Sequence, residues 1–226
     1  MEDVIPKAEG ETTPPKKTFK AYEPGFVHID INYLPQMPNE TSRRYLFVAI
    51  DRATRWMYMH IYGDMLNQSS VDFLRHLKLD SPIKISKILT DNGSQFTDCF
   101  STKDKKSSDD HAFDQACTSM AIEHRLVPPQ HPQTDGMVER FNGRINELLQ
   151  QTWFDSRADL EKTLLSYLKL YNHHISQRVI GTKTPIQALK NWQHAKLELL
   201  VKRVYVQARL DNFAGLRRPC ELSTPT

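Results

Sequence analysis

Apolar and polar positions first alternate regularly from Phe26. Val27, Ile29, Ile31 and Tyr33 interleave with Phe26, His28, Asp30 and Asn32, the period of two that gives a strand one apolar row for a core. Asp30 falls on the opposite, polar row. Tyr45 to Ile50 is an almost unbroken apolar run, suited to a central strand covered on both faces, and Trp56 to Tyr62 alternates again. Short connections predict an antiparallel meander of these three strands. Asn67 to Leu79 carries Val71, Leu74 and Leu77 at helical spacing behind Asn and Ser cap candidates. Lys84 to Thr90 returns to β-branched strand character, and Asp91 stands where that strand enters the turn Asn92-Gly93.

Residues 98 to 111 are polar and rich in charge, which predicts an exposed excursion. A short helix over Ala112 to Ala121 and a brief strand at His124 to Val127 follow. Pro128, Pro129 and Pro132 keep the next stretch out of helix, and Thr134 or Asp135 supplies an N-cap for the helix beyond it. Val138, Phe141, Ile145 and Leu148 form that helix's apolar stripe, with Glu139, Asn142, Gly143 and Asn146 on the adjoining face. Leu160, Leu164, Leu168 and Tyr171 mark another helix behind the Ser156 cap, and Thr184-Pro185 opens one more.

These boundaries divide the chain into a flexible linker at 1 to 20, one folded core at 21 to 195 and a basic C-terminal extension at 196 to 226. Within the extension, Leu199 to Val206 forms a weak strand-like run. The linker mixes Pro, Lys, Glu and Thr with few large apolar residues, too little to offset the entropy of ordering.

Composition adds bounds. With 226 residues the chain can bury the core of one ordinary domain. A formal charge of +3 permits a polyanionic partner without demanding one. Cys99, Cys117 and Cys220 are odd in number and lack zinc-finger spacing, which predicts free thiols. The N-terminus lacks the features of a signal peptide and no apolar run is long enough to span a membrane, so a soluble, intracellular protein is expected.

An aspartate in a first strand, two more strands, a helix, an aspartate ending a fourth strand and a glutamate in a later helix fit an α/β, ribonuclease-H-like fold. The sheet is expected to be mixed and five-stranded, with helices on both faces. Carboxylates at Asp30, Asp91 and Glu139 would then converge as a hard, all-oxygen site suited to Mg²⁺ or Mn²⁺. Two such ions about 4 Å apart can activate an attacking oxygen and stabilise a leaving one at a phosphodiester. Singly, each residue has an ordinary reading: Asp30 a solvent-facing strand residue, Asp91 a turn initiator, Glu139 an exposed partner of Arg140. Their combination in fold order favours a metal site.

The strings His28-Ile29-Asp30-Ile31-Asn32-Tyr33-Leu34, Ala49-Ile50-Asp51-Arg52-Ala53-Thr54-Arg55-Trp56, Leu89-Thr90-Asp91-Asn92-Gly93-Ser94-Gln95-Phe96 and Gln133-Thr134-Asp135-Gly136-Met137-Val138-Glu139-Arg140-Phe141-Asn142-Gly143 resemble the integrase core of bacterial insertion-sequence transposases, in the retroviral integrase superfamily. Leu170-Tyr171-Asn172-His173-His174 and Thr184-Pro185-Ile186-Gln187-Ala188-Leu189 are similar to that family's finish. The resemblance covers residues 18 to 195. It implies that Asp30, Asp91 and Glu139 are the catalytic, metal-binding triad of a DDE transposase, with two Mg²⁺ or Mn²⁺ ions in the DNA complex. It also implies metal-dependent cleavage of element ends followed by attack of a 3′-hydroxyl on target DNA. A homodimer or higher oligomer on DNA and a bacterial cytoplasmic, nucleoid-associated setting are implied as well.

Two departures modify this expectation. Asp91 and Glu139 are 139 − 91 = 48 positions apart, longer than usual, and the excess is assigned to the excursion at 98 to 111. Family members usually carry an N-terminal helix-turn-helix, and no second unit is apparent here to read bases, so sequence-indifferent DNA binding is expected. The rival readings are a catalytically idle DNA-binding or assembly remnant, and a nuclease that cuts without joining. His131, Gln133, Arg140, Asn142 and Arg144 flank the catalytic helix as candidate DNA contacts, with a merely solvated face as their alternative. Asp51 is assigned a structural role beside Arg52 or Arg55. His173 and His174 point about 100° apart on a helix, which favours packing over a metal.

Overall fold

The computed structural model describes residues 22–36, 40–98, 110–128, 142–150, 152, 154, 156–202 and 204. Strands β1 (Phe26–Tyr33), β2 (Tyr45–Asp51) and β3 (Met57–Tyr62) form the expected meander. Helix α1 (Asn67–Asp80) crosses to β4 (Lys87–Thr90), and α2 (Ala112–Ser119) leads into β5 (Glu123–Leu126). Helical residues 142–150 form α3, followed by α4 (Arg157–His173) and α5 (Pro185–Ala195). The five strands make one mixed sheet in the order β3-β2-β1-β4-β5. β1–β2 and β2–β3 are antiparallel, while β1–β4 and β4–β5 are parallel.

Both faces of the sheet are covered. On one, Val27, Ile29, Phe47, Ala49 and Ile88 pack with Phe73, Leu74 and Leu77 of α1, Phe113 and Cys117 of α2, and Leu189 of α5. On the other, Leu46, Val48, Ile50, Met57 and Met59 pack with Ile145 of α3 and Leu160, Leu164 and Tyr171 of α4. β2 therefore buries almost every residue, which explains its unbroken apolar run. The cysteine in this core, Cys117, is a free thiol pushed up to about 12 by burial and then by the charge of Asp114.

Helix ends follow local chemistry. Ser156 Oγ accepts from the Asp159 amide to start α4, and Thr184 and Gln187 close a capping box over the Pro185 start of α5. At α1 the expected Asn and Ser caps are replaced by another solution. Leu66 occupies the cap position without a side-chain bond, and Asp64 Oδ1 accepts from the Leu66 amide at 3.0 Å and from Ser69 Oγ at 2.5 Å. β4 begins later than its composition suggests because the amides before it are already engaged. Lys84 N–H donates to the Leu199 carbonyl and Ser86 N–H to that of Gly25. The strand-like run after Leu199 is reduced, among the described residues, to a 3-10 turn at Leu197–Leu199 and a single antiparallel bridge between Ile83 and Leu200. α2 stops at Ser119, two residues short of the expected end, because Ala121 takes a left-handed φ of 57°.

Two polar side chains tie distant segments together. Asn172, buried on α4, accepts from the Met57 amide at 3.0 Å and donates to the Met57 carbonyl at 2.8 Å. Asp51, fully buried at the end of β2, accepts from the amides of Gly25, Ala53 and Thr54 and from the Thr54 hydroxyl. Burial pushes its carboxyl up and these donors pull it down. Arg52 instead lies over the rings of Tyr22 and Phe26. Gly25 suits its place: its φ is +109°, and a Cβ there would sit 2.5 Å from the Lys84 carbonyl oxygen.

Among the described residues no helix is long and apolar enough to cross a membrane. The excursion at 99–109, Cys99 and Cys220 lie outside the described residues, as do Val138, Phe141 and both N-cap candidates, Thr134 and Asp135.

Asp51→Ala is expected to cost about 3 kcal/mol in urea denaturation, because it strands several buried donors at once. Asp51→Asn should cost less, since one acceptor oxygen survives. A loss below about 0.5 kcal/mol for the alanine variant would mean that water replaces the carboxylate freely.

Candidate active site

Parallel pairing of β1 with β4 sets the geometry. Val27 pairs with Ile88 and His28 with Leu89, so two residues beyond the last pair stand Asp30 and Asp91. Side chains alternate along a strand, so Ile88 shares the α1–α2 face with Val27, and Leu89 shares the opposite face with His28. The same alternation, continued one residue past β4, would turn Asp91 to the face that carries Asp30. Asp30 remains within β1, half-buried and paired with Val48, whereas Asp91 is exposed just past β4. The Asp91 carboxylate accepts from the Gly93 amide at 3.1 Å, the bond of an Asx turn.

α3 reaches the same place. Asn142 Nδ2 donates to Asp30 Oδ2 at 2.6 Å, and Asn142 Oδ1 accepts from Asn32 Nδ2 at 2.9 Å. One amide thus spans two same-face residues of β1 and docks the helix beside the first carboxylate. Below Asp30 on this face, burial and then the charge of Arg52 push His28 down to about 4, so its imidazole is neutral near pH 7.

Asp30, Asp91 and Asn142 are therefore brought to one end of the sheet. Glu139, His131, Gln133 and Arg140 lie outside the described residues. Arg144 is exposed, and two positions along α3 from Asn142 it projects from a different side, about 200° around the helix axis. Its charge acts on Tyr167 and Tyr171 of α4, opposing the upward push of burial on both hydroxyls. Among the described residues no three His, Cys, Asp or Glu side chains gather as a metal-binding group. The pair that is described supplies hard oxygen donors, the chemistry Mg²⁺ and Mn²⁺ favour, so it fits such an ion. His173 is half-buried and His174 exposed, with their rings tilted and 6.3 Å apart.

Beside the site an open groove of about 340 Å³ runs between the end of β1 and α3, lined by Tyr33, Gln36, Arg43, Asn146, Leu149 and Gln150. Behind it, on the far face, Thr90 contacts His124, and His124 contacts Asp114. Sequence reasoning found none of these three. The one local signal is a histidine inside a short strand, at a position where an apolar residue would be equally at home.

The mixed sheet with helices on both faces is the ribonuclease-H-like architecture, and solved structures share it. The catalytic core of BIV integrase aligns over 76% of this chain and 98% of its own, with a TM-score of 0.55 and 18% identity. The HTLV-2 integrase catalytic core, solved in complex with magnesium, aligns over 75% and 99%, with a TM-score of 0.55 and 22% identity. Two family models, both described as "Integrase core domain", match residues 22–132 and 120–185. The two models share that description and together cover residues 22–185, so the chain belongs to the integrase core superfamily.

Among curated relatives, the ORF3 protein of Spiroplasma virus SpV1-C74, named as an integrase, is 25% identical over 76% of this chain and 49% of its own length. An insertion element IS476 protein of Xanthomonas euvesicatoria is 25% identical over 70% and 46%. The Pro-Pol polyprotein of feline foamy virus is 27% identical over 73% and 13%. The chain spans about half the length of the first two relatives.

Replacing Asn142 by Ala should destabilise the metal-free protein by about 1.5 kcal/mol, the scale of a hydrogen bond to a charged group. A double-mutant cycle with Asp30→Ala should return a coupling of about 1 kcal/mol between the two. Additive effects would show that the amide does not hold the carboxylate.

Proposed function

We propose that this chain is the catalytic core of a DNA transposase or integrase that cleaves DNA at element ends and joins the 3′-hydroxyl to target DNA. Asp30, Asp91 and Glu139 hold the divalent metal in this reading. One observation carries it: the parallel pairing of His28 with Leu89, two residues before Asp30 and Asp91 respectively, with α3 tied to Asp30 through Asn142.

Mg²⁺ or Mn²⁺, two ions in the DNA complex, would lower the charge of the phosphodiester and activate the attacking oxygen. The chain's own contribution is positioning. β1 and β4 fix two carboxylates, Asn142 occupies one lone-pair direction of Asp30, and the groove between Tyr33 and Gln150 offers a path for a strand leaving the site. Residues 21–195 form the catalytic unit in this reading. DNA and further copies of the chain are its partners.

A pre-cut oligonucleotide incubated with the chain and Mn²⁺ should yield joined product, and Asp91→Asn or Glu139→Gln should reduce it by at least 100-fold without loss of fold. Cleavage without joining would favour a nuclease, and neither product an idle module. Mn²⁺ should also raise the melting temperature of the wild type and do so far less for these variants.

Binding of duplex DNA should be indifferent to sequence and should weaken by 10-fold or more between 50 and 200 mM salt, since phosphate contacts release counterions (slope about −0.9 per phosphate). Competition titrations at two salt concentrations test this. A salt-resistant preference for one sequence would reveal a base-reading element in the chain.

A further inference from the structure

Asp91 stands in a turn past the end of its strand, where a side chain is ordinarily least constrained. The residue before it faces the other way. Thr90 is fully buried on the α2 side of the sheet, and its hydroxyl donates to the Asp91 carbonyl at 2.9 Å. Thr90 Oγ1 also hydrogen-bonds His124 Nε2 on β5 at 2.8 Å. The other ring nitrogen of His124 donates to the carboxylate of Asp114, in the first turn of α2. The His124 side chain is only 6% exposed, and the ring of Phe113 lies edge-on to it at 5.0 Å.

The rest of the turn is held by the same segment. His111, which caps α2 by accepting from the Phe113 amide at Nδ1, donates from Nε2 to the Ser94 carbonyl at 3.1 Å. Asn92 Nδ2 donates to the Val127 carbonyl at 3.1 Å. Residues 90 to 94 are thus gripped at three points by residues 111 to 127, from the face opposite the candidate site.

We infer that the Asp114–His124–Thr90 chain, seconded by His111, is a positioning device for Asp91 that sets the chain's affinity for its divalent cation. The inference rests on the reading of Asp91 as a metal ligand. None of the four residues is itself placed on the metal. They act by holding the Asp91 backbone, so that its carboxylate need not be ordered when the cation binds. Groups standing behind a metal ligand commonly change affinity by about 10- to 100-fold when removed, and Thr90 acts through the backbone, which favours the lower figure.

The test uses the whole chain and Mn²⁺ alone, with bound and free ion measured by electron paramagnetic resonance and the fold followed by circular dichroism. Thr90→Val keeps the side chain's shape and removes its hydroxyl, whereas Thr90→Ser keeps the hydroxyl. Thr90→Val and His124→Gln should each weaken Mn²⁺ binding about 10-fold, while Thr90→Ser stays within about twofold of the wild type. A merely structural role would lower the melting temperature and leave Mn²⁺ affinity untouched. Wild-type affinity in Thr90→Val, alongside lost affinity in Asp91→Asn, overturns the positioning device alone. Wild-type affinity in Asp91→Asn overturns instead the reading of Asp91 on which it rests. Should His124→Gln fail to fold, Thr90→Val decides the matter by itself.

Discussion

The parallel pairing of β1 with β4 is the constraint on which the rest depends. Had β4 run the other way, its C-terminal end would lie beside Phe26, four residues and about 13 Å from Asp30. Parallel neighbours cannot be joined by a tight turn, so the chain must cross from the β3 edge to the far side of β1, and α1 makes that crossing. The crossing is stabilised by apolar burial. Phe73, Leu74 and Leu77 of α1 pack with Ile29 and with Val27 and Ile88, a pair of the register that aligns the two strands.

The opposite face is apolar under β2 and β3 and turns polar along β1. Val48, Ile50 and Met59 lie under α3 and α4, while the neighbouring positions of β1 are His28, Asp30 and Asn32. A buried polar row requires partners, and Asn142 supplies them for two of the three. The same amide that satisfies Asn32 also orients a candidate metal ligand. The site therefore begins where the apolar layer ends, and α3 is fixed at that boundary by Ile145 on its apolar side and Asn142 on its polar one.

Much of this was legible in the sequence because it follows local periods. The alternation from Phe26, the solid apolar run of β2, the Ser156 cap and the Thr184-Pro185 start each correspond to an element with those residues in those roles. Asp30 and Asp91 were recognisable as strand-borne carboxylates, and their shared end of the sheet follows from the register. Less legible were features decided by competition or distance. Asn67 was a plausible cap for α1, yet it lies inside the helix, and Leu66 takes the cap position without a side-chain bond. The apolar run from Leu199 had strand character, but only Leu200 finds a bridge partner among the described residues. The contacts linking Thr90 to His124 and Asp114 join residues up to 34 positions apart, and no repeat or spacing announces them. Asp51 looked structural, and its partners proved to be backbone amides and Thr54, which a motif of side chains does not reveal.

β3 is an outer strand of the sheet, and such a strand presents unpaired amides and carbonyls on which another chain can template itself. At Met57 both of those groups are taken by the carboxamide of Asn172. A primary amide carries the same donor and acceptor as a peptide unit, so α4 supplies here a one-residue imitation of the next strand. The sheet thereby ends, at this position, in a group that cannot be extended. Two copies of the chain that meet there are kept from the edge-to-edge association that an open strand would invite.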